Sequence, residues 1–250
     1  MMAYPLSATT TKAAIITQLQ KDILPFQGFK KLLKPGRLDV LPSAIKNAFL
    51  NAEFPLGAIH EFISTGVEDA AATDGFVSGI LASLMHNSGA CIWISSSKTI
   101  FPPALKSFGI APEKIIFINL KKEKEILWAM EEALKCHSLS AVVGDTKELS
   151  FTNSRRLQLA VEQSRVTGFI LRNNPRNLNT NACVTRWKIT PLPSESADDM
   201  PGVGFPRWNV ELLKVRNGKP GRWQIEFAAG RFRLISKITA ITLEQEKKTG

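Results

Sequence analysis

Between Glu53 and His86 this 250-residue chain has neither lysine nor arginine. The gap falls where a cation would matter most. The stretch EFPLGAIHEFISTGVEDAAATDGFVSGILASLM, residues 53–85, reads as strand, small-residue loop and apolar helix. In that layout backbone N–H groups and a lysine cradle nucleotide phosphates. Without a Gly-Lys-Ser/Thr the loop lacks the parts for tight ATP binding and hydrolysis. Glu68, Asp69 and Asp74 also set like charge against a polyphosphate. Cysteine is scarce: Cys91, Cys136 and Cys183 are odd in number and widely spaced, which argues against disulfides and zinc and fits a reducing cytosol. His60, His86 and His137 share no ligand spacing, so neither a metal nor a cofactor is expected. No apolar run approaches the ~20 residues of a bilayer span, and MMAYPLSATTTKAA lacks the apolar stretch of a signal peptide. A cytoplasmic chain without membrane contact is the expectation.

Acidic residues thin out towards the C-terminus. Residues 1–150 carry 15 Lys/Arg against 14 Asp/Glu, whereas residues 151–250 carry 17 against 8. A localised basic excess points to a polyanion, nucleic acid being the commonest, or to a basic soluble surface and nothing more. Arg155 and Arg156 open a helix, and Arg172, Arg176 and Arg186 flank NNPRNLNTNA, residues 173–182. Lys214, Arg216, Lys219 and Arg222 bracket RNGKPG, residues 216–221. Arginines and amides in a loop at a strand end suit charge-assisted phosphate contacts, which position a nucleic-acid strand without reading it. Trp187 and Phe205 are candidates to stack on bases. For Trp187, in the alternating TRWKI, packing into a sheet is the favoured reading.

The order of segments gives the fold class. An amphipathic helix in residues 1–25, with Ile15, Ile16, Leu19 and Ile23 on one face, reads as a docking element, and residues 26–41 as a linker. Residues 42–235 form the core and 236–250 a mobile tail. Within the core, helix 43–50, strand 57–63, helix 74–86, strand 90–96, a helix at 102–109 and strand 114–120 follow one another. Helix 123–136, strand 140–144, helix 153–166 and strand 168–172 continue the alternation. CIWIS, IIFINL, SAVVG and GFILR are unbroken apolar runs, as expected of strands covered on both faces. Repeated strand–helix–strand units imply a doubly wound, mostly parallel α/β sheet. Beyond Arg172 helical periodicity stops, and 183–191, 208–216 and 222–227 read as strands, with RNGKPG as a hairpin connection. A C-terminal antiparallel extension follows. Ser64, Thr65 and Gly66, with Asp74 and Gly75, take the phosphate-loop place; Asp74 is read as a helix N-cap. Asp145 ends SAVVGD, where such folds set a magnesium-facing carboxylate, although a solvated strand-end acid or a helix cap is favoured.

PLGAIHEF, LASLMHNSGACIWIS, PPALKSFGI, LSAVVGD, SRRLQLAVEQSRVTGFILRN, LNTNACVTRWKI and WNVELLKVRNGKPGRWQIEF resemble, in this order, the RecA-like core. FPPALKSFGI, LWAMEEALK, SRRLQLAVEQSRVTGF and PGVGFPRWNVELLKVRNGKPG are similar to the ImuA family, RecA-like and SulA-related proteins of bacterial SOS mutagenesis. The resemblance spans about residues 10–235. It implies a RecA-like fold and a damage-induced, non-catalytic accessory of translesion synthesis, nucleoid-associated during DNA damage. Its implied partners are the Y-family-like protein ImuB, a C-family error-prone polymerase, RecA and single-stranded DNA. It also implies a vestigial nucleotide site at 64–66 and 69–74, SSSK at 95–98 in place of a catalytic glutamate, and DNA loops at 147–153 and 172–180. The N-terminal helix then mimics a filament subunit's docking helix. Two rivals stand beside this reading: a working RecA/KaiC-like ATPase of DNA repair, and a SulA-like division inhibitor acting by protein contact alone.

Overall fold

The computed structural model describes residues 38, 40–86, 89–97, 100–194 and 204–238. The expected docking helix with Ile15, Ile16, Leu19 and Ile23, most of the linker, Lys98 and the tail from residue 239 lie outside the described residues. The apolar runs become strands β1 (Ile59–Ser64), β2 (Ala90–Ser95), β3 (Ile115–Asn119), β4 (Leu139–Asp145) and β5 (Thr167–Asn173). The basic end adds β6 (Thr185–Leu192), β7 (Arg207–Val215), β8 (Gly221–Ala228) and β9 (Arg231–Ile238). The helices are α1 (Ser43–Lys46), α2 (Val67–Met85), α3 (Glu123–Leu134) and α4 (Phe151–Ser164), with 3-10 turns at Leu50–Ala52, Pro102–Phe108 and Pro112–Lys114.

All nine strands form one sheet in the order β3-β2-β4-β5-β1-β6-β7-β8-β9. Every pairing from β3 to β6 is parallel and every pairing from β6 to β9 antiparallel. Helices cover both faces of the central parallel strands; the edge strand β3, expected to be covered as well, leaves Ile116 and Phe117 exposed. On one side α2 packs Phe76, Val77, Ile80 and Leu81 against Phe62, Trp187 and Trp208. On the other, Ile126, Met130 and Leu134 of α3 and Leu157 and Val161 of α4 meet Ile59, Val142 and Ile170. The second core takes no residue from β7, β8 or β9 among the described residues, which is why those strands alternate between buried and part-exposed positions. No helix among the described residues is long and apolar enough to cross a membrane.

Four sequence expectations change. The helix after β1 starts at Val67, with Gly66 as its N-cap, so Asp74 sits two turns inside α2 and caps nothing. The Ala70-Ala71-Ala72 run favours helix, and it carries the helix back towards the strand. The segment after Pro102-Pro103 is a 3-10 helix ending at Gly109, whose φ of 83° only glycine adopts freely. Strand β6, expected in the antiparallel extension, pairs in parallel with β1. Finally, β9 was not expected at all: Ala229 (φ 51°) and Gly230 (φ 73°) make a tight turn out of residues without an Asn-Gly signal.

The parallel pairing of β6 sets the key feature of the site. From the end of β5 the chain must return to the opposite end of the sheet before β6 can start, and parallel strands usually achieve this with a helix. Here residues 174–184 make the crossing without one. Their backbone carbonyls therefore need donors from elsewhere.

Candidate functional site

The junction of β1 and α2 leaves two residues, Thr65 and Gly66, between strand and helix. Ser64 is buried and its hydroxyl meets Thr73 Oγ1 at 3.1 Å. Beside the head of α2, Asp69 Oδ2 accepts from the Thr65 amide at 3.2 Å and from its hydroxyl at 2.6 Å, and no side chain caps the helix itself. A carboxylate in the first turn also satisfies the positive end of the helix dipole. Gly75 lies on the helix, where an added Cβ would meet Trp208 at 3.0 Å and Phe108 at 3.3 Å, so it is there for packing.

Asp74 and Asp145 share one environment. Burial pushes the Asp74 carboxyl up to about 7, and the neighbouring Asp145 adds to the rise. Asp145 is raised by burial too, against a hydrogen bond from Asn173 Nδ2 at 3.0 Å. A folded pKa above the unfolded value near 3.9 means the folded chain keeps a proton that the unfolded chain releases. The stability this confers is complete below about pH 4 and is lost as pH rises through about 7. In urea titrations Asp74→Asn is expected to gain on the native chain from pH 5 to about pH 7 and to level off above it. A constant difference across that range would assign the titration to another group.

One basic residue departs from its sequence reading. Arg172 is buried and its Nη1 donates to Glu61 Oε1 at 2.8 Å, both side chains being fully inaccessible. Its Nε donates to Lys147 O at 3.1 Å, and Nη2 donates to Asn177 O at 2.9 Å and faces Glu148 Oε2 at 3.4 Å. Arg172 is therefore a core residue and leaves the set of DNA contacts. Arg186 Nε meets the other Glu61 oxygen at 2.6 Å, while Nη2 donates to Asn179 O at 2.7 Å. Lys214 Nζ donates to Asn181 O at 2.8 Å, and Arg216 Nη2 to Ala182 O at 3.0 Å. Cations of β5, β6 and β7 and of the turn after β7 thus hold the crossing segment through its carbonyls. Ser154 Oγ on α4 secures it from the helix side by accepting the Ala182 amide at 2.9 Å.

The remaining candidates scatter. Arg155 faces Glu162 at 3.5 Å, Arg156 pairs with Glu131 at 2.7 Å and Arg222 with Glu211 at 2.7 Å. Arg176 and Lys219 are exposed; their amides donate to Glu148 Oε1 and Ala48 O. Phe205 is half-exposed at 50%, whereas Trp187 is fully buried, as the favoured reading had it. Glu61 and Glu148, on which the network turns, were not singled out from the sequence, although a glutamate inside the wholly buried strand IHEFIS is a signal in itself. Burial holds the Cys91 and Cys183 thiols far above their ordinary range, so neither offers a thiolate. Among the described residues no group of His, Cys, Asp and Glu is arranged to hold a metal ion.

No family model matches the chain. It is 33% identical over 212 residues to Protein ImuA of Caulobacter vibrioides (strain NA1000 / CB15N), across 78% of this chain and 87% of that protein. It is also 30% identical over 122 residues to Cell division inhibitor SulA of Photorhabdus laumondii, across 47% of this chain and 69% of that one. With SulA of Yersinia pseudotuberculosis it shares 25% identity over 139 residues, 55% of this chain and 82% of that one.

Proposed function

This chain belongs to the ImuA family, and we propose that it is a non-catalytic accessory protein of SOS-induced translesion synthesis. It is built on a RecA-like core and acts with an ImuB-like Y-family protein and a C-family error-prone polymerase, on single-stranded DNA or at a RecA filament end. Family membership supports the link to damage-associated mutagenesis. The RecA-like assignment draws on the parallel order β3-β2-β4-β5-β1 with helices on both faces.

The observation that carries the non-catalytic reading is the β1–α2 junction. A phosphate loop needs several residues of backbone N–H groups wrapped round the anion, a lysine and a magnesium-binding hydroxyl. Here the link is Thr65-Gly66, Asp69 sets a carboxylate in the first turn of the helix, and no lysine or arginine lies between Glu53 and His86. The test is calorimetric titration with ATP and magnesium, with and without single-stranded DNA. No saturable binding is expected up to about 1 mM, and turnover stimulated by the strand would overturn the reading.

The similarity to SulA favours a second reading, a division inhibitor that works through protein contact alone. The two part over nucleic acid. Charge-driven DNA binding weakens steeply as salt rises, whereas a protein-only inhibitor has no DNA affinity to lose.

A further inference from the structure

Residues 177–182 lie on a row of cations. Arg186, Lys214 and Arg216 each donate to one of their carbonyls, at Asn179, Asn181 and Ala182. Arg186 and Lys214 are partners in the β6–β7 register, because a bulge beside Trp187 leaves Leu213 unopposed. Burial and then the nearby Arg155 act against charge on Arg216, while burial, Arg186 and Arg216 act against charge on Lys214. The carboxylates in reach are Glu61, shared between Arg172 and Arg186, and Glu162, facing Arg155 at 3.5 Å. Cations outnumber acids here, and neutral carbonyls cancel no charge. Lys214 and Arg216, held by carbonyls, favour exchange for an anion, since charge-assisted bonds to phosphate are the stronger kind, while Arg186 keeps its ion pair with Glu61.

We infer that Arg155, Arg186, Lys214 and Arg216 form a site for the phosphate backbone of single-stranded nucleic acid, and that residues 177–182 are a displaceable strap occupying it. Of the three carbonyls taken, those of Asn179 and Asn181 are alternate and that of Ala182 is the next along. Residues 177–180 face solvent, whereas Asn181 and Ala182 are buried, so the strap lifts from its exposed end and freeing Lys214 and Arg216 uncovers those two residues as well. The inference rests on the nucleic-acid part of the function proposed above and says how that contact is regulated.

The test uses the full chain and a labelled oligothymidylate of about 16 nucleotides, titrated at several salt concentrations. The double variant Lys214→Gln/Arg216→Gln is expected to lose about tenfold in affinity, with a salt slope shallower by about 1.4, or about 0.7 per lost phosphate contact. Arg222→Gln, whose cation is paired with Glu211, should stay within about twofold. Ser154→Ala removes the anchor of the strap and should tighten binding by about three- to tenfold, a gain that misfolding cannot produce. In native-state hydrogen exchange the Ala182 amide should become less protected when the oligonucleotide is added. If the double variant binds like the native chain with an unchanged slope, the row is not the site, although the DNA reading survives elsewhere. If Ser154→Ala binds no tighter, the strap is refuted. If the native chain fails to bind at low salt, the nucleic-acid reading falls and takes the inference with it.

Discussion

Glu61→Gln is expected to destabilise the chain by about 3–5 kcal/mol, lowering the thermal midpoint by about 6–20 °C. The carboxylate sits in the middle of β1 and is fully buried. Its two oxygens take Arg172 Nη1 at 2.8 Å and Arg186 Nε at 2.6 Å. An amide of the same shape keeps the volume but removes the charge, leaving a buried guanidinium with only the half-exposed Glu148 opposite it. The penalty comes from that uncompensated charge, so replacing the whole network should be gentler than breaking it. The triple variant Glu61→Leu, Arg172→Met, Arg186→Met is expected to recover more than half of the loss in thermal melts. A triple variant no more stable than Glu61→Gln would show that the network's own hydrogen bonds to residues 147, 177 and 179 dominate.

Trp187→Ala is expected to cost about 3–5 kcal/mol, the range for emptying a large aromatic from a core. The indole is fully buried and lies parallel to Phe62, centroids 6.1 Å apart and planes within 9°. Phe49 and Phe76 close round it at 5.9 and 6.0 Å. Its Nε1–H also starts a chain of hydrogen bonds. Trp187 donates to Thr185 Oγ1 at 2.7 Å, and that oxygen lies 2.8 Å from His60 Nδ1. His60 Nε2 lies 2.9 Å from Pro55 O. A carbonyl only accepts, so Nε2 carries the proton and Thr185 donates to Nδ1. This matches a neutral His60 whose pKa burial pushes down to about 3. Trp187→Phe keeps most of the stacking and should lose much less in urea denaturation. Equal losses for the two variants would place the energy in the hydrogen-bond chain. Oligonucleotide affinity of the folded variants should not change; a selective loss there would restore base stacking by Trp187.

The strands were legible from their apolar runs. The centre of LSAVVGD is apolar without alternation because helices cover both faces, whereas IIFIN is as apolar at the sheet edge with Ile116 and Phe117 exposed. The facing of Lys214 was not legible. Trp208, Val210 and Leu212 are buried in the core, and strict alternation would set Lys214 beside them; the bulge at Leu213 turns it to Arg186 instead. The start of α2 was misread because an acidic residue before an apolar run looks like a cap wherever it occurs, while the true cap, Gly66, bears no side chain.

Sequence alone determined the α/β alternation, the missing phosphate-binding cation and the basic bias of the last hundred residues, because these depend on residue type and local period. It also carried the family. Tertiary structure decided what the cations do. Whether an arginine faces a phosphate or a carbonyl depends on what is folded against it, and residues 174–184 reach the basic strands only because β6 pairs with β1 in parallel. That pairing buries Arg172 in the ion network at Glu61 and sets Arg186, Lys214 and Arg216 against the carbonyls of the crossing segment.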